Sequence, residues 1–576
     1  MMLFGRPRSA CNIEEAIMAR YRPTVHGYTH MVAAGHPLAA QAGHAILEAG
    51  GNAVDAGIAS ALTLAVVQSD LVNFGGVAPI MIREPETGKV VTISGVGRWP
   101  RAADINHLAK IYDGHVPHGV LRSIVPAAPD AHITALKYFG TMSFADVAQS
   151  AISTARDGFA MHELLAQTIR EHEQEYRRWP SNREIYLPHG QPPKVGDKFV
   201  QTDLARAVQY MADEETAAGG GRHAGLQAAR DAFYKGAIAC AIVANDTEHG
   251  GWMTMEDLAE FQVKLEAPIS VTHRGVTLHA CGPWCQGPSL AQMWSFLDDA
   301  DLVTLGHNSP DYIHHLTEVF KLVFADRELY IGDPEFVDVP LGRLLSRSHA
   351  AEKLAMIKPN MVLRGMNLWG GVANAKREST QTQDTSYTCV VDGDGLAISI
   401  TPSDGTATSP VVPGWGLVTS PRGSQSWAVP GHPCEVAPWK RPRLTPNPAI
   451  AETPEGTVIP FGTPGADVQC QSMIQVLLNM TEFAMEPQDA VEAPRFATYS
   501  YPESFEPHEA LPDVLRIESR IDEATRSALR AKGHDVQDWP DLTWKAGAVC
   551  AIVADGATGL LSGGADPRRP CAALGR

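Results

Sequence analysis

A chain of 576 residues is long enough for roughly three or four domains or for one large layered unit. Its 44% hydrophobic and 19% charged content, with 51 Gly and 41 Pro, is that of a globular protein and excludes a disordered or fibrous one. The 47 basic and 65 acidic side chains leave a net charge of −18 and no concentrated basic stripe, which argues against a nucleic-acid partner.

The chain begins Met1-Met2-Leu3-Phe4-Gly5-Arg6-Pro7-Arg8, positive but not followed by the apolar run of a secretory signal, so a cytoplasmic location is expected. The longest apolar stretch, 58–67, is broken by Ser60 and Thr63 and falls short of the ~20 residues a membrane span needs. The nine cysteines are odd in number and scattered, and only Cys281 and Cys285 are close, at a spacing that fits no paired zinc knuckle. They read as reduced, packed thiols. No metal site is expected.

Ala40, Ala42, Ala45, Ile46 and Leu47 predict a helix that stops at Gly50-Gly51. A second helix starts near Asn52, and its small residues (Ala53, Ala56, Gly57, Ala59, Ser60, Ala61) predict close packing inside a core. Ile80-Met81-Ile82 and Val90 to Ile93, joined by a turn at Glu86-Thr87-Gly88, predict a hairpin. Helical patterns fill much of 105–215. The stretch from His162 to Tyr176 lacks the His-Glu-x-x-His spacing of a metalloprotease, and His172-Glu173 reads as a solvated face. Ala217 to Arg222 (AAGGGR) reads as a flexible loop without the glycine order of a nucleotide site. Residues 311–334 predict an amphipathic helix closed by Gly-Asp-Pro, with His314 and His315 as packing or surface residues.

Residues 365–384 lose hydrophobic periodicity and read as an exposed linker. The character changes at Thr385. Thr385 to Asp392 (TSYTCVVD), the turn Asp392-Gly393-Asp394-Gly395 and the run Leu396 to Thr401 predict a hairpin. Thr385, Tyr387, Cys389 and Val391 fall on one face of its first strand and Ser386, Thr388 and Val390 on the other, both apolar enough to predict a sheet covered on each side.

Gly-x-Ser-x-Gly, Walker and kinase motifs are all missing. What remains is a threonine at the head of a buried strand, directly after a linker. Either Thr385 is simply a strand-forming residue, or a cut between Asp384 and Thr385 makes it a chain end with both a hydroxyl nucleophile and a free amine. An α-amino group titrates near 7.7–8.0, so at neutral pH part of it is unprotonated and able to take the hydroxyl proton.

The segments AAGHPLAAQAGHAILEAGGNAVDA, GGWMTMEDLAEF, EAPISVTHRGVTLH, KLVFADRELYIGDP, DTSYTCVVDGDG, FGTPGADVQ, DAVEAPRF and GGADPRRP together resemble the γ-glutamyltranspeptidase family of N-terminal-nucleophile hydrolases, from about Met31 to the C-terminus. The resemblance implies an α+β fold, a four-layer αββα sandwich with antiparallel sheets between helical layers. It implies a precursor that cuts itself before Thr385 into a large subunit, 1–384, and a small one, 385–576, interleaved in one unit, with room for a homodimer of heterodimers. It places the supporting hydroxyl at Ser403 and the oxyanion-hole amides at Gly465 and Ala466. That last assignment fits the helical sequence from Asp467 onward, since amides at a helix start favour developing negative charge.

The glutamyl-binding residues depart from the family pattern. The carboxylate-binding Arg falls at Val96, with Arg98 two residues on and on the same face of a strand. An adjacent serine pair becomes Leu444 and Thr445; the acidic partner of the substrate ammonium falls at Ser424 or Gln425; a histidine two positions after the nucleophile becomes Tyr387. Arg98 and Arg422 either hold a substrate carboxylate in a changed geometry or are ordinary ion-paired arginines. The expectation is a self-processing amidohydrolase or acyltransferase acting on a small-molecule amide with an acidic or neutral acyl part, with no organic cofactor. The alternatives are ordinary glutathione hydrolysis with γ-glutamyl transfer, and an unprocessed homologue that only binds.

Overall fold

The computed structural model describes residues 21–297, 300–364 and 385–576. The expected linker, Asp384, and the charged N-terminal residues lie outside them.

Two seven-stranded sheets, each antiparallel throughout, lie face to face. The first sheet runs, in spatial order, Ala572–Gly575, Met31–Ala34, Thr388–Val391, Ala397–Ile400, Ile80–Arg83, Val90–Ile93 and Leu265–Glu266. The second runs Val25–Gly27, Leu561–Ala565, Cys550–Ala554, Val458–Gly462, Ala449–Glu452, Val276–Ala280 and Ile269–His273. Stretches before and after position 384 contribute strands to both.

Helices cover the outer faces. Pro37–Glu48 and Ala53–Val67 pack on the first sheet; Gly287–Phe296, Val468–Thr481 and Pro487–Glu492 pack on the second. The expected αββα sandwich is what the chain forms. Three apolar cores follow from the four layers, and the strand Thr388–Val391 shows why both of its faces had to be apolar. Val390 joins the core under the first helical layer, while Tyr387, Cys389 and Val391 join the core between the sheets.

The helix Ala53–Val67 is buried at every residue, as its small side chains predict, and Ser60 Oγ reaches Thr388 Oγ1 at 2.9 Å. Asn52 caps it in a reciprocal box with Asp55, a device worth about 1 kcal/mol. The preceding helix, Pro37–Glu48, ends before Gly50, which takes a φ of 92°. Both predicted hairpins form, Ile80–Arg83 with Val90–Ile93 and Thr388–Val391 with Ala397–Ile400. The Asp392 carboxylate organises the second turn: it accepts from Asp394 N at 3.1 Å and Leu396 N at 3.0 Å, and from Ala53 N at 2.8 Å, which nails the turn to the core helix.

Three expectations need correcting. The strand expected from Thr385 begins at Thr388: Ser386 N still donates to Pro402 O in the hairpin register, but Pro402 has no N–H to return the bond, so the regular ladder stops short of Thr385. The helix Pro310–Tyr330 is buried around nearly its whole circumference instead of presenting a polar face. Its charged residues are absorbed by ion pairs such as Lys321 with Glu318 at 3.0 Å and Arg327 with Glu328 at 2.6 Å. The glycine-rich loop is shorter than expected, since the helix Arg222–Tyr234 claims Arg222.

All eight described cysteines are free, and only Cys240 is exposed. Burial pushes the Cys389 thiol up to about 12 and that of Cys281 well above its ordinary value. Thiols held this far from ionisation are packing groups, not nucleophiles.

Candidate active site

The hairpin register delivers the first pair. Thr388 pairs with Ile400 and Val391 with Ala397, so continuing outward sets residue 385 opposite residue 403. Ser386 N donates to Pro402 O at 3.0 Å, extending the register, and Thr385 Oγ1 then lies 2.7 Å from Ser403 Oγ. Both residues are fully buried.

Thr385 is held at three points. Its nitrogen donates to Leu71 O at 3.0 Å, its carbonyl oxygen accepts from Arg569 Nη1 at 2.9 Å, and its hydroxyl meets Ser403. Its φ is 127°, a region that β-branched residues occupy only under constraint, at a cost on the order of 1–3 kcal/mol. Ser403 is fixed by a two-way backbone bridge to Val77 and accepts from Arg422 Nη2. Arg422 is ion-paired through Nε with Asp404, whose other oxygen accepts from Ser420 Oγ, and its guanidinium lies 5.1 Å from the centre of the Phe505 ring. As Thr385 Oγ1 loses its proton, Ser403, polarised by the buried cation, can donate its O–H to that oxygen, which makes negative charge there less costly.

The second sheet supplies the other half. Gly462 ends the strand Val458–Gly462 against the ring of Tyr387, two residues after Thr385; a Cβ there would stand 2.3 Å from Tyr387 Cε2, so only glycine permits the approach. Tyr387 Oη meets Ser399 Oγ at 2.6 Å, and burial raises its pKa well above the ordinary 10.0. From Gly462 the chain runs through Thr463-Pro464 to Gly465, at φ 128°, and Ala466, at φ 52°, before the helix Val468–Thr481. Neither the Gly465 nor the Ala466 amide N–H donates to an acceptor among the described residues, and both precede a helix start. Donors so placed suit a developing oxyanion. The first turn is anchored by Asp467, which accepts from Ser504 N at 2.7 Å and pairs with Arg327. Against the opposing pull of burial, the Asp467 and Glu328 carboxylates hold the Arg327 pKa above its usual value.

The short helix Pro421–Gln425 joins the two halves, because it carries Arg422 toward Ser403 and Gln425 toward Thr445. Gln425 Nε2 donates to Thr445 Oγ1 at 2.8 Å, and its carbonyl oxygen accepts from Thr445 N at 3.4 Å. Gln286 Nε2 in turn donates to Thr445 O at 3.0 Å and Ala466 O at 3.2 Å, which couples this pair to the amide loop. Arg98 belongs to a different network: it donates to Trp439 O at 2.8 Å and pairs with Glu335 at 2.7 Å, and its Nη1 lies 3.8 Å from Asp333. Val96 packs into the inter-sheet core. Sequence reading missed Asp404, Arg569 and Gln286. Asp404 follows Ser403 directly and Arg569 stands inside the segment GGADPRRP, but charge alone does not say which neighbour a residue meets.

The gamma-glutamyltranspeptidase family model matches residues 39–575. The "Glutathione hydrolase-like YwrD proenzyme" of Bacillus subtilis (strain 168) is 30% identical, over 96% of this chain and 99% of its own. The "Acylase ACY 1 proenzyme" of Pseudomonas sp. (strain SE83) is 31% identical, over 94% of this chain and 92% of its own. Among solved structures, the cephalosporin acylase from Bacillus halodurans superposes with a TM-score of 0.83 at 27% identity, covering 100% of this chain and 99% of its own. The chain therefore belongs to the gamma-glutamyltranspeptidase family, enzymes of hydrolase and acyltransferase type made as proenzymes.

Proposed function

We propose that this protein cuts its own chain between Asp384 and Thr385, and then uses Thr385 as an N-terminal nucleophile on a small amide whose acyl part is neutral. The observation that carries the reading is Thr385 Oγ1 at 2.7 Å from Ser403 Oγ, with Arg422 donating to that serine.

In the first step the Thr385 hydroxyl oxygen bonds to the carbonyl carbon of Asp384, the C–N bond breaks, and the hydroxyl proton ends on the new amine. Water then hydrolyses the ester, freeing the Asp384 carboxylate and restoring the hydroxyl. In the mature enzyme the free amine, with an unperturbed pKa near 7.7–8.0, takes the proton as the hydroxyl attacks a substrate amide. An acyl-enzyme forms, the amine product leaves, and water or a second amine accepts the acyl group. The Gly465 and Ala466 amides are assigned to the tetrahedral oxyanion in both reactions. The resulting subunits, 1–384 and 385–576, stay together. The proenzyme names of the relatives support the processing half of the reading.

The polar groups around the site support a neutral acyl part. No carboxylate stands at positions 424 and 425 for a substrate ammonium, and the Gln425 amide is spent on Thr445. A substrate carboxylate would have to compete with Asp404 for Arg422 and with Glu335 for Arg98. Among the relatives, the glutathione hydrolase-like one points instead to γ-glutamyl donors, and the name of the acylase specifies no acyl group.

The test has two arms. Incubated at neutral pH and run under denaturing conditions, the protein yields two polypeptides, the smaller beginning Thr-Ser-Tyr; a single unbroken chain overturns the processing reading. The processed protein is then offered matched anilides that differ only in the acyl group. Preference for the γ-glutamyl anilide, with glutamate release, overturns the neutral-acyl reading and leaves processing intact.

A further inference from the structure

Three potential ligands converge far from Thr385 in sequence, at the joint between the first sheet and its helical cover. His30 directly precedes the strand Met31–Ala34, whereas His44 and Glu48 are four residues apart on the helix Pro37–Glu48 and so rise from one face of it. One ligand atom from each residue lies within 4.8 Å of the other two. The His30 and His44 rings meet edge to face with centroids 4.9 Å apart.

His30 is only 4% exposed, and its Nε2 is buried without a hydrogen-bond partner; the Glu48 Oε1 carboxylate oxygen stands 3.4 Å away. An imidazole nitrogen buried without a partner is destabilising, and a cation there would relieve it. Glu48 divides its oxygens: Oε1 faces His30, while Oε2 accepts from Arg576 Nη1 at 2.7 Å. A carboxylate oriented by a second partner is the usual support of a metal ligand.

The donor set selects the ion. Calcium and magnesium take oxygen ligands, whereas two imidazoles and one carboxylate suit zinc and its neighbours, with a fourth position left for water. At zinc–ligand distances of about 2.0–2.1 Å, tetrahedral ligand atoms stand about 3.3 Å apart, within small side-chain adjustments of the present cluster.

We propose that His30, His44 and Glu48 form a structural binding site for one divalent transition-metal ion of the zinc class. Its position gives it a role in assembly. Arg576 N donates to His30 O at 3.1 Å, and the strand Ala572–Gly575 pairs with Met31–Ala34. A bound ion would therefore clamp the helix Pro37–Glu48 to the strand Met31–Ala34, on which the C-terminal strand Ala572–Gly575 pairs.

The test uses the untagged, chelator-treated full chain carrying Cys240→Ser, because that exposed thiol would compete for metal. Titration with Zn2+ alone by calorimetry gives one equivalent per chain, and the melting temperature rises with Zn2+ concentration. Co2+ gives the visible absorption of a tetrahedral site. His44→Ala and Glu48→Gln, both outside the core, each weaken binding by at least about tenfold and lose the melting shift, whereas the exposed His223→Ala changes neither. Absence of Zn2+ binding, or binding that His44→Ala and Glu48→Gln leave unchanged, overturns the proposal.

Discussion

Replacing Ser403 by alanine separates two contributions that meet on one oxygen. Ser403 Oγ contacts Thr385 Oγ1 at 2.7 Å and accepts from Arg422 Nη2. The hydroxyl–hydroxyl contact is a neutral bond worth about 1 kcal/mol, and the guanidinium bond is charge-assisted and worth about 1.5–3 kcal/mol. Arg422 keeps Asp404 in the variant, so the lower half of that range applies, and in the Thr385→Ala background, where the hydroxyl contact is already gone, the loss of fold stability is about 2 kcal/mol. Only the contact with Thr385 acts on the reacting atom, and losing about 1 kcal/mol there slows self-cleavage about fivefold to tenfold. The rate is read from the time course of fragment appearance on denaturing gels. Stability is read by denaturant unfolding of Thr385→Ala against the Thr385→Ala/Ser403→Ala double variant, neither of which should be cut. Cleavage at the parent rate in Ser403→Ala, with the stability loss present, would show that this serine supports the fold and not the nucleophile.

Gln425→Glu preserves the shape of the contact with Thr445, whose N–H and rotated O–H can both donate to a carboxylate. It should shift the ratio of kcat/KM for γ-glutamyl over neutral-acyl anilides upward by about tenfold, the worth of one charge-assisted bond to a substrate ammonium; an unchanged ratio would remove Gln425 from the pocket. Arg569→Met leaves the Thr385 carbonyl oxygen without its 2.9 Å donor and should slow processing by about tenfold in the same gel assay, whereas parent-rate cutting would mean that Leu71 and Ser403 suffice to hold the threonine. Burial pushes the Asp246 carboxyl from its ordinary 3.8 up to about 6. The folded state therefore keeps that proton after the unfolded chain has released it, and the wild type loses stability relative to Asp246→Asn as pH rises from about 4 to about 6. Parallel melting curves for the two proteins across that window would contradict the assignment.

Much of the fold was legible because it rests on local rules. The small residues of Ala53–Val67 announce a helix buried on all sides, and the turn Asp392-Gly393-Asp394-Gly395 announces the hairpin; Ser403 is named through the family resemblance, and its meeting with Thr385 follows from the register the structure shows, in which 388 faces 400. Other features depend on neighbours that sequence does not name. Pro310–Tyr330 reads as amphipathic because its charges are visible and the partners that neutralise them in the interior are not. Arg569 reaches Thr385 across 184 residues, and Asp404 and Arg422 appear as an ion pair only once the loop after Ala397–Ile400 has folded back. Arg98, which lies near the expected carboxylate position in sequence, is drawn off by Glu335 and Trp439, a competition that no spacing rule reveals.

In the first sheet Ala572–Gly575, Met31–Ala34, Thr388–Val391, Ala397–Ile400 and Ile80–Arg83 lie side by side, so strands from before and after residue 384 are interleaved. Such weaving makes the molecule indifferent to a break in its backbone near residue 384: nothing can drift apart without unzipping ladders on both layers at once. A nick there would release a terminus while leaving the tertiary architecture as rigid as before, and neither fragment, made alone, would possess a complete sheet to fold around.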